Sequence, residues 1–207
     1  MTACMKKIMF NDKYGLTEAM LDGRKTQTRR IIKPQPILDM NVGIKWKGYM
    51  YGLGYTKEET FRNFLSCVKP PYQVGEIVSV AQPYRDVFTP DETLYVTNGE
   101  GYRMAKAKNM AGWNNKLYVC ADLMPHQIQI TNVRIEQLQD ISDEECIKEG
   151  VRNILDDQHF IINGRGEHSI VSYSAKIAYA QLMDKISGKG TWDSNPWVWV
   201  YEFELVK

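Results

Sequence analysis

Strand signals in this chain of 207 residues are short, scattered and not interleaved with helices in a regular rhythm. That spacing constrains the fold more than any other feature. Lys7 to Phe10 reads as a first short strand. Gly75-Glu76 opens a turn into the β-branched run Ile77-Val78-Ser79-Val80. Gln127-Ile128-Gln129-Ile130 alternates cleanly, and Val133 and Ile135 continue in the opposite phase, which predicts a bulge or bend at Thr131-Asn132. The last strand spans Trp197 to Leu205, with Trp197, Trp199, Tyr201, Phe203 and Leu205 on one side and its tryptophans as core. A doubly wound parallel sheet needs strands and helices in alternation. The expected fold is therefore α+β, a small and mostly antiparallel β-barrel with peripheral helices.

Three helices are legible. Leu16, Ala19, Met20 and Gly23 fall at i, i+3, i+4 and i+7, and Gly23 suits the left-handed position past a helix end. Ser142-Asp143-Glu144-Glu145 is a capping box opening a helix to about Glu149, closed by Gly150. A longer helix covers about 172–187, with Ala175, Ala178, Tyr179, Leu182 and Ile186 on one face. Pro34, Pro36 and Pro70-Pro71 interrupt regular structure. Residues 37–73 between them read as an irregular aromatic insertion within a single domain of residues 1–207. Within it Lys47-Gly48 turns a hairpin between Ile44-Lys45-Trp46 and Tyr49-Met50-Tyr51. Residues 84–116 are polar, with short strands and turns around Tyr95-Val96 and Gly99-Glu100-Gly101.

With 43% hydrophobic residues the chain can bury a core, so disorder is not expected. The net charge of +1 is unevenly spread: residues 1–50 hold ten cations against four anions, and residues 136–167 hold nine anions against three cations. Either the first segment forms a basic face, or the two segments pack together and neutralise each other. Cys4, Cys67, Cys120 and Cys146 form no C-x-x-C pair, and His126, His159 and His168 show no metal-ligand spacing. Free thiols, a cytoplasmic location, no metal, no cofactor and no membrane association are the expectation.

The densest chemistry lies in Leu21-Asp22-Gly23-Arg24-Lys25-Thr26-Gln27-Thr28-Arg29-Arg30. A P-loop is excluded, because Arg24 intervenes between glycine and lysine and a helix, not a strand, precedes. Three readings stay open. The charges are a solvated surface; or Arg24, Arg29 and Arg30 grip a nucleic-acid backbone; or Lys25 and Thr28 are a working pair. A threonine hydroxyl needs a base to become a nucleophile. A lysine serves as that base only if its pKa falls by about 3 units, at a cost of about 4 kcal/mol.

The run Leu-x-Gly-Arg-Lys-Thr-x-Thr-x-Arg, followed downstream by Gly75-Glu76 before a strand, resembles the opening of ASCH domains in the PUA-like superfamily. The likeness continues in Asn132 to Ser142, in Glu149-Gly150-Val151, and in the Trp192-Asp193-x-Asn195-Pro196-Trp197 tail of the longer form common in phages and prophages. The resemblance implies a PUA-like β-barrel whose cleft takes RNA or a modified nucleoside. Small bacterial members remove the acetyl group from N4-acetylcytidine with a lysine, a threonine and a glutamate, and others are described as ribonucleases. By motif those catalytic roles fall on Lys25, Thr28 and Glu149, and Arg30 matches the closing arginine of the motif. Where phage-type members have Val-Arg-Glu-x-Trp, this chain has Val80-Ala81-Gln82-Pro83-Tyr84, so Ala81 and Gln82 replace a charge pair and Gln82 joins the ligand-binding candidates. The resemblance implies an amidohydrolase acting on an acylated cytidine, a non-catalytic RNA-binding module or a ribonuclease. A further reading, from the aromatics of residues 44–64, is a phage-encoded protein that docks a protein partner through them.

Overall fold

The first ordered turn of the chain sets up everything that follows at the site. The computed structural model describes residues 5–39, 41–52, 54–97, 102–154 and 159–206; Cys4 and the Gly99-Glu100-Gly101 turn lie outside them. Strand β1 (Lys7–Ile8) leads to helix α1 (Leu16–Leu21), whose buried face is Leu16, Thr17, Ala19 and Met20. Gly23 takes the left-handed conformation expected past the helix end, with φ +72°. The cationic segment then enters strand β2 (Gln27–Ile31).

Strands β3 (Ile37–Asp39), β4 (Gly43–Trp46) and β5 (Tyr49–Tyr51) make a three-stranded antiparallel sheet. Trp46 faces Tyr49 across the anticipated Lys47-Gly48 turn, and both turn residues have positive φ, as a two-residue hairpin loop requires. Irregularity does not hold for the rest of residues 37–73. Helix α2 (Lys57–Cys67) follows, capped by the Thr56 hydroxyl accepting from the Glu59 amide. The helix buries Thr60, Phe61 and Phe64 on one side, inside a stretch whose glycines and scattered aromatics read as irregular chain. The insertion joins the main core: Phe64 lies edge-on to Trp46 and Tyr51 and stacks 6.3 Å from Trp199.

Strand β6 (Ile77–Val80) is followed by the hairpin β7 (Thr93–Thr97) and β8 (Tyr102–Lys106), then by the long β9 (Gln127–Gln137). Asn132 faces Glu202 and Ile130 faces Phe203, so Thr131 is the bulged residue that the change of phase anticipated. Helix α3 (Asp143–Lys148) has its capping box formed in both directions between Ser142 and Glu145. Strands β10 (Arg152–Ile154), β11 (His159–Ile162) and β12 (Ile170–Ser172) form a second three-stranded sheet, packed against helix α4 (Ala175–Ser187). Strand β13 (Trp197–Leu205) is last.

The central sheet has the order β1-β6-β9-β13-β2, antiparallel except for the β1–β6 pair. Strand β13 is buried on both sides at its middle, Val198 and Val200 as completely as Tyr201, and not on one side as alternation alone suggests. The reason is its interior position between β9 and β2, with elements covering both faces. Among the described residues the sheet does not close: β1 and β2 are its two edges. Arg30 of β2 spans the opening by donating from Nη2 to the Met9 carbonyl just past β1, at 2.5 Å. No helix among the described residues is long and apolar enough to cross a membrane.

Candidate functional site

The register of β13 sorts the cationic strand into two faces. Arg29, Val200 and Arg134 lie opposite one another across three strands, and so do Thr28, Tyr201 and Val133. Residues paired this way project to the same side of a sheet. Thr28 and Arg30 therefore share the face of Tyr201 and Trp199, while Arg29 projects to the other face, where α3 lies.

Arg29 is fully enclosed and gives all five of its N–H groups to protein acceptors. Nε and Nη2 reach Glu136 Oε1 at 2.8 and 2.6 Å, Nη2 also reaches Glu145 Oε2 at 2.8 Å, and Nη1 reaches Gln27 Oε1 and Glu149 Oε1. Burial works against this charge, and the Glu149 carboxylate leads the contributions that hold the guanidinium above its ordinary pKa. Arg134 adds ion pairs to Glu136, Glu145 and Glu202. The basic first segment and the acidic region from residue 136 thus pack together and neutralise each other here. With no N–H left over, Arg29 is a structural hub, not a grip for phosphate.

Lys25 precedes the strand and is likewise buried. Its Nζ donates to Glu149 Oε2 at 2.6 Å, to the Glu149 carbonyl at 2.8 Å and to the Gln27 carbonyl at 2.7 Å, which uses all three ammonium protons. Burial lowers its pKa below the ordinary lysine value, while Glu149 acts in the opposite direction. Glu149 is the last residue of the α3 turn, and the reversal after it depends on Gly150 at φ +109°. A side chain at Gly150 would meet Leu16 Cδ2 at 3.3 Å and Lys25 Cβ at 3.8 Å, so glycine lets α3 seat Glu149 directly over Lys25.

These groups line one side of a cleft of about 740 Å³. Its other walls are Met9 and Phe10 after β1, and Tyr179, Leu182, Met183 and Ile186 of α4. Lys25, Thr28, Arg29, Arg30 and Glu149 all border it, bringing together side chains separated by up to 124 residues. Thr28 is buried, and its hydroxyl has no hydrogen-bond partner among the described residues. Phe10 sits 5.7 Å from Lys25 Nζ and 6.0 Å from the Arg30 guanidinium, a cation–aromatic wall.

No family model, curated protein or solved structure matches this chain.

Two of the sequence candidates lie elsewhere. Arg24 is at the surface, paired with Asp22 at 2.9 Å. Gln82 is buried, with Oε1 unpartnered, beside a separate cavity of about 180 Å³ also bordered by Asp12, Glu18, Asp86 and Arg165. In the sequence, Tyr179 stands out only as one residue of a helix face. Its hydroxyl is buried without a partner, and burial, with Glu149 second, keeps the phenol neutral far above its ordinary pKa. Among the described residues no group of three His, Cys, Asp or Glu side chains could hold a metal ion.

Proposed function

We propose that this cleft binds RNA or a modified nucleoside and hydrolyses an amide on an acylated cytidine, and that the open sheet is a variant of the PUA-like β-barrel. The observation that carries this reading is the convergence of Lys25, Thr28 and Glu149 on one cleft, with Lys25 and Glu149 forming a buried ion pair of 2.6 Å. The side-chain bridge from Arg30 to Met9 across the sheet opening supports the barrel reading.

In the resting pair the ammonium is saturated and cannot accept a proton. The chemistry requires one proton to pass from Lys25 to Glu149, leaving a neutral amine; burial, which lowers the Lys25 pKa, acts in that direction, and the Glu149 charge acts against it. The Lys25 amine then takes a proton from the Thr28 hydroxyl, or from a water that Thr28 positions, as oxygen attacks the amide carbon. Glu149 returns its proton to the departing amine. On the water route this yields acid and amine directly. On the Thr28 route the amine leaves first, and a water deprotonated by the Lys25 amine then cleaves the acyl-threonine ester while Glu149 returns a proton to the Thr28 oxygen. Either route sums to water plus amide giving acid plus amine.

Incubation with N4-acetylcytidine should release cytidine and acetate, read by mass. Thr28→Val should abolish release with an unchanged melting temperature, because the hydroxyl bonds nothing in the protein. Lys25→Ala is the less informative variant, since stripping one partner from a buried pair costs roughly 3–5 kcal/mol of stability. Turnover surviving in Thr28→Val removes Thr28 from the chemistry.

One observation favours a second reading, a cleft that binds without turnover: every N–H of Lys25 and Arg29 is already given to a protein acceptor. That reading requires saturable binding of nucleotides, weakened by salt, and no product.

A further inference from the structure

The floor of the cleft is the free edge of β2, because among the described residues that strand ends the central sheet and pairs only with β13. The phase of that pairing is fixed at both ends: the Ile32 amide donates to the Trp197 carbonyl at 3.0 Å, and the Phe203 amide donates to the Thr26 carbonyl at 2.9 Å. In an antiparallel ladder, hydrogen-bonded and non-hydrogen-bonded pairs alternate. Thr28 and Arg30 therefore turn their backbone N–H and C=O groups toward β13, and Gln27, Arg29 and Ile31 turn theirs away from it. The Gln27 carbonyl is occupied by Lys25 Nζ at 2.7 Å. The backbone groups of Arg29 and Ile31 have no partner among the described residues, and both residues border the cleft. Unpaired N–H and C=O groups along a sheet edge are a ready template for a further pairing partner.

We infer that the cleft takes a planar heterocyclic base, paired edge-on to the backbone N–H and C=O groups of Arg29 and Ile31 as a short continuation of the sheet. This rests on the nucleobase reading above and names the atoms that would do the recognising. The length of the free edge selects a base over a peptide strand. From Arg29 to Ile31 it spans roughly 7 Å at the usual rise of a strand. Lys25 closes it on the Gln27 side, and Pro34, which has no amide N–H to offer, follows three residues beyond Ile31. Donor and acceptor alternate along that distance, matching a ring nitrogen beside an exocyclic amino group, as in cytosine or adenine. Phe10, Leu182 and Met183 give the cleft apolar walls against which the faces of such a ring can lie. Arg30 and Lys33 border the same cleft, on hand for a phosphate.

The test is amide hydrogen exchange, residue by residue, on 15N-labelled protein titrated with cytidine 5′-monophosphate and with N4-acetylcytidine. In free protein the Thr28 and Arg30 amides should exchange slowly and those of Arg29 and Ile31 fast. Saturating ligand should slow Arg29 and Ile31 and shift their resonances. Ile31→Pro removes one of these N–H groups without touching the ladder to β13, a substitution that edge strands accept. It should weaken binding by roughly fivefold to tenfold, the worth of one hydrogen bond. Saturable binding that leaves the Arg29 and Ile31 amides unchanged overturns the edge pairing while the nucleobase reading stands. Absence of binding by either ligand overturns both. Protection of the same amides by an extended acidic peptide, but not by nucleotide, makes the edge a site of strand addition and likewise overturns the inference.

Discussion

A single change of side shows how residue-level chemistry is settled in this cleft. Arg29 and Arg30 are neighbours in sequence, yet Arg29 is enclosed among Glu136, Glu145 and Glu149 while Arg30 borders the cleft beside Phe10. Nothing in a run of two arginines distinguishes them. The strand alternation separates them, and the side on which α3 settles decides which one is consumed. Glu145 is pivotal because it accepts from the Ser142 amide, from Arg29 and from Arg134. Against the penalty of burial, these partners lower its pKa below the ordinary 4.5. A carboxylate with a lowered folded pKa stabilises above its unfolded value and loses that contribution as pH falls through the folded one. Wild type should therefore exceed Glu145→Gln in stability at pH 7, with the gap narrowing steadily below about pH 4.5. Urea unfolding of both proteins across pH measures this; a gap independent of pH would remove Glu145 from the charge network.

At the scale of elements, local signals were legible wherever a short run determined its own geometry. Gly23 past α1, the Lys47-Gly48 hairpin, the Ser142–Glu145 box and the bulge at Thr131 all formed as their residues indicate. The first three are matters of backbone dihedrals and caps within four residues, and the last is a break in a period of two. Helix α2 is amphipathic, with Thr60, Phe61 and Phe64 buried and the rest of its surface mostly polar, but it sits in a glycine- and aromatic-rich stretch that reads as irregular as a whole. Gly150 joins element to site: its left-handed backbone turns the chain out of α3 and holds Glu149 over Lys25. Gly150→Ala should cost about 1–3 kcal/mol, through strained dihedrals and a tight contact with Leu16. It should also reduce any activity that depends on the pair. A loss under about 0.5 kcal/mol in denaturant unfolding would show that the turn tolerates a side chain.

For the whole molecule, residues 37–73 are part of the core and not an appendage. Phe64 is fully buried among Trp46, Tyr51 and Trp199, so the insertion and the last strand share one apolar interior. Phe64→Ala should destabilise the protein by roughly 3–5 kcal/mol, measured by thermal or urea unfolding with a single transition. A loss below about 1 kcal/mol, or two separate transitions, would mean that the insertion folds apart from the sheet. Among the described residues, the insertion's large exposed apolar side chains are Ile37, Val42, Tyr49, Met50 and Tyr55. The sequence by itself determined the mixed α+β class, the prevalence of antiparallel pairing and the positions of Lys25, Thr28 and Arg30 at one chemically dense segment, because those depend on local spacing and on side-chain type. Only the tertiary structure decided that acidic residues more than a hundred positions away neutralise that segment, that β2 stands at a sheet edge, and that the cleft forms along it. Those outcomes depend on which elements become neighbours, and neighbourhood in space follows from burial of the whole apolar surface, which no short stretch of chain encodes.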